Sequence, residues 1–253
     1  MLIISKKHTK IDLELWSVYE EMDKINSKSD KLKYKEDKAI EIIKDFSKRK
    51  QCYIGISWGK DSVTVVDLAL RNNIDIPIIH LYCIQLHNKE SDKVRDTFLK
   101  LYPNIQYTEI IIDYGNLPLC FHDEKIDKKT DIIWYNGFKE AEKRFGDCHI
   151  SGVRKEESGK RRLRMRMWGL ESIRTLAPIG YWKNEDVFAY LNKYNLPVHP
   201  NYAMLGNGKW NRKNIRVADI GEPEGSQYDR ETWEKEYYNA ELKQIRSAKE
   251  DKG

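Results

Sequence analysis

Cys52-Tyr53-Ile54-Gly55-Ile56 runs directly into Ser57-Trp58-Gly59-Lys60-Asp61-Ser62, and a mostly apolar stretch from Val63 to Leu70 follows. The first five residues are short and apolar, with strand character. The last stretch carries no Gly or Pro and predicts a helix. A strand feeding a glycine-containing turn that opens a helix makes a phosphate cradle. The first-turn amides point at an anion, and the helix dipole favours negative charge there. Lys60 adds a mobile positive charge, and Ser57 and Ser62 add hydroxyls. The turn lacks the longer glycine-spaced loop of a P-loop. A plain serine-capped helix start, with Asp61 and Ser62 satisfying orphan amides, is the competing reading.

At 253 residues the chain is ample for one α/β domain plus extensions. Charged residues make up 34%, yet the formal net charge is only +5, so the whole chain is not polybasic. Cys52, Cys83, Cys120 and Cys148 are scattered without a C-x-x-C pair. That pattern suits reduced thiols and gives no zinc or iron–sulfur signature. No apolar run approaches the ~20 residues that span a membrane, and the N-terminus lacks the apolar core of a signal peptide. A cytoplasmic protein without a membrane partner is expected.

Ile11, Leu15, Val18, Met22 and Ile25 repeat at helical spacing, as do Ala39, Ile42, Ile43 and Phe46, with a polar turn in Ser27 to Glu36. Two helices therefore precede the first central strand. Ile76 to Ile84 reads as a buried strand, and Val94, Phe98 and Leu101 mark a helix. Tyr107 to Ile112 is another strand, and Trp134, Phe138, Ala141 and Phe145 mark an amphipathic helix. Cys148 to Val153 is a fourth strand. Alternating strands and helices predict an α/β fold, a mostly parallel twisted sheet with helices on both faces. Ligands of such sheets bind beyond the carboxyl ends of strands. Residues 1–50 read as a helical extension, 51–205 as the nucleotide-binding domain, and 206–253 as a basic loop and C-terminal helix.

Between Arg154 and Arg166 stand seven basic residues (Arg154, Lys155, Lys160, Arg161, Arg162, Arg164, Arg166) and only two acidic ones, Glu156 and Glu157. Gly159 and the polar run predict a loop through the first half. Charge runs are commonly solvated surface. This one follows a strand end that should also carry the Ser57–Ser62 turn, and arginine forks suit phosphate or sulfate. It is therefore read as an anion site.

The turn resembles the Ser-Gly-Gly-x-Asp-Ser pyrophosphate loop of the adenine nucleotide alpha-hydrolase superfamily. Trp58 stands where that motif has its first glycine. Ser151-Gly152-Val153-Arg154-Lys155-Glu156-Glu157-Ser158 resembles the Gly-x-Arg-x-x-Glu-Ser element of the phosphoadenosine phosphosulfate (PAPS) reductase-like members, with Arg161 or Arg162 as the trailing basic residue. Leu176-Ala177-Pro178-Ile179 and Trp182-Lys183-Asn184-Glu185-Asp186-Val187 resemble the next element, and Asn184 reads as a helix N-cap. The three elements follow one another in the family's order.

The resemblance implies an enzyme that binds an adenine nucleotide, ATP or PAPS, through Ser57, Trp58, Gly59, Lys60, Asp61, Ser62, Gly152, Arg154, Glu157, Ser158, Arg161 and Arg162. Lys60, Asp61 and Arg154 carry the catalytic expectation. With ATP, Mg²⁺ is expected, with Asp61 as its carboxylate. The thiol-dependent reductases place a nucleophilic cysteine near the C-terminus, whereas no cysteine follows Cys148 here. Paired cysteines for an iron–sulfur cluster are also missing, and Cys52 and Cys148 read as packing residues. Lys60-Asp61 resembles the ATP-cleaving branch, which transfers adenylyl and releases pyrophosphate.

Adenylyl transfer, in sulfur metabolism or nucleic-acid modification, is thus the leading expectation. Action on PAPS with a thiol supplied in trans is the second. A nucleotide- or nucleic-acid-binding module without turnover is the third. His80 and His87 read as structural, with ligand contact the lesser expectation. The flexible basic loop Gly206 to Arg216 around Trp210 reads as a surface loop, with nucleic acid as a possible partner. From Asp229 on, Tyr238, Leu242 and Ile245 fit a helix packed on the domain or on a protein partner, including a second copy.

Overall fold

A computed structural model describes residues 1–115, 117, 124–217, 219–221 and 230–250, with no side chains described at 124–127 and 246–250. Cys120 and Asp229 lie outside the described residues. Among the described residues five parallel strands form one sheet in the order β3-β2-β1-β4-β5. They are β1 (Cys52–Gly55), β2 (Ile78–Cys83), β3 (Tyr107–Ile112), β4 (Cys148–Ile150) and β5 (Thr175–Leu176). The helices are α1 (Lys10–Asn26), α2 (Asp30–Arg49), α3 (Lys60–Arg71), α4 (Lys89–Leu101), α5 (Glu124–Phe145), α6 (Gly159–Trp168), α7 (Asn184–Lys193), α8 (Arg230–Tyr237) and α9 (Asn239–Glu250).

Alternation along the strands divides the core. Cys52, Ile54, Ile78 and Ile150 join the large apolar cluster that also holds Val63, Val66 and Leu68 of α3 and Val187, Phe188 and Leu191 of α7. Tyr53, Ile79 and Ile110 face the other way and bury Ala141 of α5. Each buried Val, Leu or Ile contributes about 1.5–3 kcal/mol, so both sheet faces must be covered, and both are. The large cluster also takes in Trp16, Leu32, Ile43 and Phe46 from the N-terminal helices and Trp233 and Tyr238 from the C-terminal ones.

β1 is central. Its register sets Cys52 opposite Cys148 and Ile54 opposite Ile150, while Ile54 and Gly55 pair with Ile78 and Ile79. The carboxyl ends of β1 and β4 therefore lie side by side. The order reverses here, since β2 and β4 flank β1, and this is the crevice where such sheets bind ligands.

Several local expectations change. The sequence stripe Ile11, Val18, Met22 and Ile25 is exposed. α1 turns the other way, burying Trp16 together with Asp12 and Asp23. Those carboxylates are satisfied: Asp12 accepts from the Leu205 amide at 3.0 Å and the Tyr237 hydroxyl at 3.0 Å, and Asp23 accepts two hydrogen bonds from Arg212. Asn184 is the first residue of α7 rather than its cap; the Asp186 carboxylate accepts from the Lys183 amide at 2.6 Å. The segment after Arg154 is a short 3-10 turn, and α6 already starts at Gly159 behind its cap Ser158. The two-residue β5 has no counterpart in the sequence reading. The C-terminal helix is two helices, broken at Tyr238, whose ring is buried. Among the described residues no helix is long and apolar enough to cross a membrane.

Candidate functional site

A cavity of about 940 Å³ opens over the carboxyl ends of β1 and β4. Its floor is the Ser57–Ser62 turn. Gly59 caps α3 and, having no side chain, makes no cap hydrogen bond to the helix amides. The competing serine-cap reading fails on this point. Ser62 instead knits the turn, accepting from the Ser57 amide and donating to the Gly59 carbonyl, both at 3.1 Å. The Lys60 amide donates to the Tyr202 hydroxyl at 3.2 Å.

Trp58 explains the substituted glycine. Its φ is +60°, the left-handed region glycine takes freely. The indole points away from the cavity and is 1% exposed, packed among His80, Phe98 and Tyr107. The bulk that a phosphate loop should not tolerate is thus spent in the core. Trp58 does not line the cavity, contrary to its expected place in the binding set.

Gly152 brings the second loop in. A Cβ there would meet the Asp61 carbonyl carbon at 2.7 Å and the Ser62 amide nitrogen at 2.8 Å, so only glycine permits this approach. Two residues on, Arg154 is 1% exposed and its Nε donates to Asp61 Oδ1 at 2.6 Å. Lys60 Nζ donates to the other oxygen, Oδ2, at 2.7 Å. Burial pulls the Lys60 ammonium below the ordinary lysine range, against the pull of Asp61. Burial alone would raise Asp61, but Lys60 and Arg154 outweigh it and hold the carboxyl below its ordinary range.

Both Asp61 oxygens are therefore engaged by cations, which does not fit the expected Mg²⁺ ligand. Among the described residues no group of three or more His, Cys, Asp or Glu side chains is placed to hold a metal ion. Asp61 is a clamp between two positive groups.

Glu157 organises the rim. Its Oε2 accepts from the Arg154 amide at 2.7 Å and pairs with Arg161 at 2.6 Å. Its carbonyl accepts from Arg216 Nη2 at 2.8 Å. Arg161 and Arg216 thus both reach the cavity, and Arg216 has no carboxylate partner among the described residues. Arg154 and Ser158 lie behind this wall, and Arg162 turns outward into a separate cavity. Of the expected set, Ser57, Gly59, Lys60, Asp61, Ser62, Gly152, Glu157 and Arg161 line the main cavity.

The opposite wall comes from residues 208–217. The expected free loop is anchored: Arg212 binds Asp23 through two 2.6 Å bonds and lies 4.0 Å over the Phe188 ring. Trp210 is buried beside it. His80 also reaches the cavity. Its Nδ1–H donates to the Ile56 carbonyl at 2.8 Å, Nε2 has no partner among the described residues, and burial pulls the imidazole down to about 4. Asp219, which burial pushes up to about 6, lines it as well. Tyr202 and Asp219 carried no sequence signal: each comes to the site only through the tertiary fold.

Residues 51–204 match the phosphoadenosine phosphosulfate reductase domain. The chain belongs to this family. Two solved structures are similar in fold. The PAPS reductase of Candida auris, in its phosphate complex, shares 13% identity at a TM-score of 0.48 and covers 68% of this chain and 82% of its own. The U34-tRNA thiolase NcsA of Methanococcus maripaludis, with its [4Fe-4S] cluster, shares 13% at a TM-score of 0.43 and covers 79% of this chain and 72% of its own. No curated protein matches significantly. The three motif elements that carried the sequence resemblance all fall inside the matched PAPS reductase domain.

Proposed function

We propose that the main cavity binds an adenine nucleotide with its phosphates on the α3 N-terminus, and that the protein transfers the adenylyl group from ATP. One observation carries this reading. An α3 start without a side-chain cap, flanked by Lys60, Arg161 and Arg216, faces a cavity of about 940 Å³. Preorganised donors aimed at developing charge are a major source of catalysis.

In this reading an acceptor oxygen or other nucleophile attacks the α-phosphorus. The bond to the α–β bridging oxygen breaks, and pyrophosphate leaves with that electron pair. Lys60, Arg161, Arg216 and the first-turn amides offset the leaving charge. Asp61, Arg154 and Glu157 hold those cations in place and touch no phosphate. Mg²⁺ supplies charge neutralisation on the phosphates when it accompanies ATP, but Asp61 is not assigned as its ligand.

The chemistry of Cys52 and Cys148 favours this over sulfate reduction by either thiol. The Cys52 thiol is pushed up to about 11, first by burial, and burial raises Cys148 as well. Both shifts disfavour the thiolate a reductase nucleophile needs. Action on PAPS with a thiol supplied in trans is the second reading.

The test is calorimetric binding of ATP–Mg, PAPS and adenosine 3′,5′-bisphosphate to wild type and Lys60→Ala. Binding of ATP–Mg that weakens at least about tenfold in Lys60→Ala is expected, one tenfold step being 1.4 kcal/mol. Binding of the 3′-phosphorylated ligands alone overturns adenylyl transfer in favour of PAPS, and no binding at all removes the nucleotide reading.

A further inference from the structure

α6 reads Gly159-Lys160-Arg161-Arg162-Leu163-Arg164-Met165-Arg166-Met167-Trp168, with five basic residues and no acidic one. Its sequence is not explained by packing, since Met165 is the one residue of the helix that is buried. Leu163 is 56% exposed, Met167 65% and Trp168 58%. Arg162 and Arg166, one turn apart, lie along one side of Leu163 and Met167, with Lys160 on the other.

Three of the five charges are exposed and, among the described residues, free of carboxylates. Arg161 is taken by Glu157, and Arg164 donates to the Thr175 hydroxyl. Lys160, Arg162 and Arg166 are exposed and have no carboxylate partner among the described residues. Beside them lies a second cavity of about 540 Å³, lined by Lys155, Glu156, Arg162, Met165, Arg166 and Tyr181. Lys155 Nζ sits 4.9 Å over the half-exposed Tyr181 ring.

We propose that the outer face of α6, with the cavity under Tyr181, docks a single-stranded nucleic acid. Phosphates are neutralised by Lys155, Lys160, Arg162 and Arg166, and unpaired bases stack on Tyr181 and Trp168. A basic groove with aromatic platforms is the arrangement that holds single strands. Arg162 and Arg166 are separated by about 6 Å of helix rise, a distance over which an extended strand presents successive phosphates.

Two other occupants fit less well. Arg, Met and Trp also suit a protein interface, but five basic residues without an acidic one ask for a polyanion, which a protein partner offers only through an acidic patch. A helix lying in a membrane surface segregates its apolar and basic faces, and α6 mixes them on one. Arg161 of the same helix lines the main cavity, so a strand held here runs toward it. That the strand is the acceptor rests on the nucleotide reading above; that it binds does not.

The test is fluorescence anisotropy with labelled oligo(dT) and oligo(U) at rising salt. Wild type should bind with a log–log salt slope of about −0.7 for each phosphate contacted. The pair of substitutions Arg162→Ala and Arg166→Ala should weaken binding at least about tenfold and reduce the slope by about 1.4, two contacts' worth. Replacing both by lysine should keep the slope. Trp168→Ala should weaken binding about tenfold and leave the slope unchanged, as loss of a stacked base does.

Preference for one oligomer over the other identifies the strand as DNA or RNA, and equal affinity leaves the docking site standing for both. No binding by wild type, or an alanine pair that keeps wild-type affinity and slope, overturns the proposal. So does equally effective competition by phosphatidylserine vesicles at matched charge. Lys60→Ala should lose ATP but keep the oligomer. If ATP fails to bind wild type while the oligomer binds, the nucleotide reading falls and the docking surface stands.

Discussion

Arg154 donates to Asp61 across 2.6 Å, joining the loop after β4 to the first turn of α3 behind the cavity wall. Arg154 is 1% exposed on its side chain and Asp61 16%. Breaking a buried pair from one side leaves an uncompensated charge, at about 3–5 kcal/mol. Arg154→Ala should therefore lose stability on that scale in urea unfolding at neutral pH, and Arg154→Lys should lose less. A loss under about 1 kcal/mol would mean that solvent already compensates Asp61, and that Arg154 does not hold the clamp.

Gly152→Ala tests the close approach of the same two loops. The new methyl lies 2.7–2.9 Å from Asp61 and Ser62 backbone atoms, which cannot rotate away as a side-chain end does. Relief requires the loops to part, and overpacking of this kind costs about 1–3 kcal/mol. Because the Ser57–Ser62 turn moves with it, ATP affinity should fall beyond what the stability loss explains. Calorimetry well below the melting temperature separates the two effects. Wild-type affinity at full folding would show that the turn keeps its shape without this contact.

Trp58 allows a decisive comparison of two opposing effects. Removing a buried indole costs about 3–5 kcal/mol. The positive φ costs an L-residue about 1–2 kcal/mol that glycine does not incur. Both Trp58→Ala and Trp58→Gly should be destabilised, but the glycine variant should be the more stable by about 1 kcal/mol. At most positions the order is reversed. Urea midpoints of the two variants decide it, and alanine at or above glycine would contradict the left-handed assignment.

Strands were legible because buried parallel strands are continuous apolar runs: Ile78–Cys83 and Tyr107–Ile112 sit inside the segments the sequence marks. The phosphate turn and the Gly152 loop were legible because each needs glycine at a fixed spacing. Other features were hidden. α1 carries two stripes, and periodicity alone favours Ile11-Val18-Ile25 over the face that buries Asp12 and Asp23. Only distant partners, Tyr237 and Arg212, make those carboxylates buriable. Trp58 looked like an obstacle to the loop because its direction depends on a φ that no pattern reveals. The outward turn of Arg162, next to the inward Arg161, depends on where α6 starts, and the sequence reading gave a loop there with no helix start.

His80 gives the molecule an acid-sensitive point beside the turn. Burial lowers its imidazole to about 4, against an ordinary value of 6.5. Around it stand Trp58, Tyr82 and His87, with the Ile56 carbonyl taking Nδ1–H, and the Glu109 carboxylate, paired with Arg95, acts on it from β3. The folded state therefore holds the ring neutral where the unfolded chain would protonate it. This stability is fully present above pH 6.5 and is lost as pH falls from there toward about 4. Between pH 7.5 and pH 5 the loss amounts to about 2 kcal/mol, at 1.36 kcal/mol per unit below 6.5. His80→Asn keeps a donor for the Ile56 carbonyl and removes the titration. Urea unfolding at the two pH values should show the wild type losing about 2 kcal/mol more than the variant. Parallel losses would place the acid sensitivity elsewhere, and a larger loss in the variant would reverse the sign of the argument.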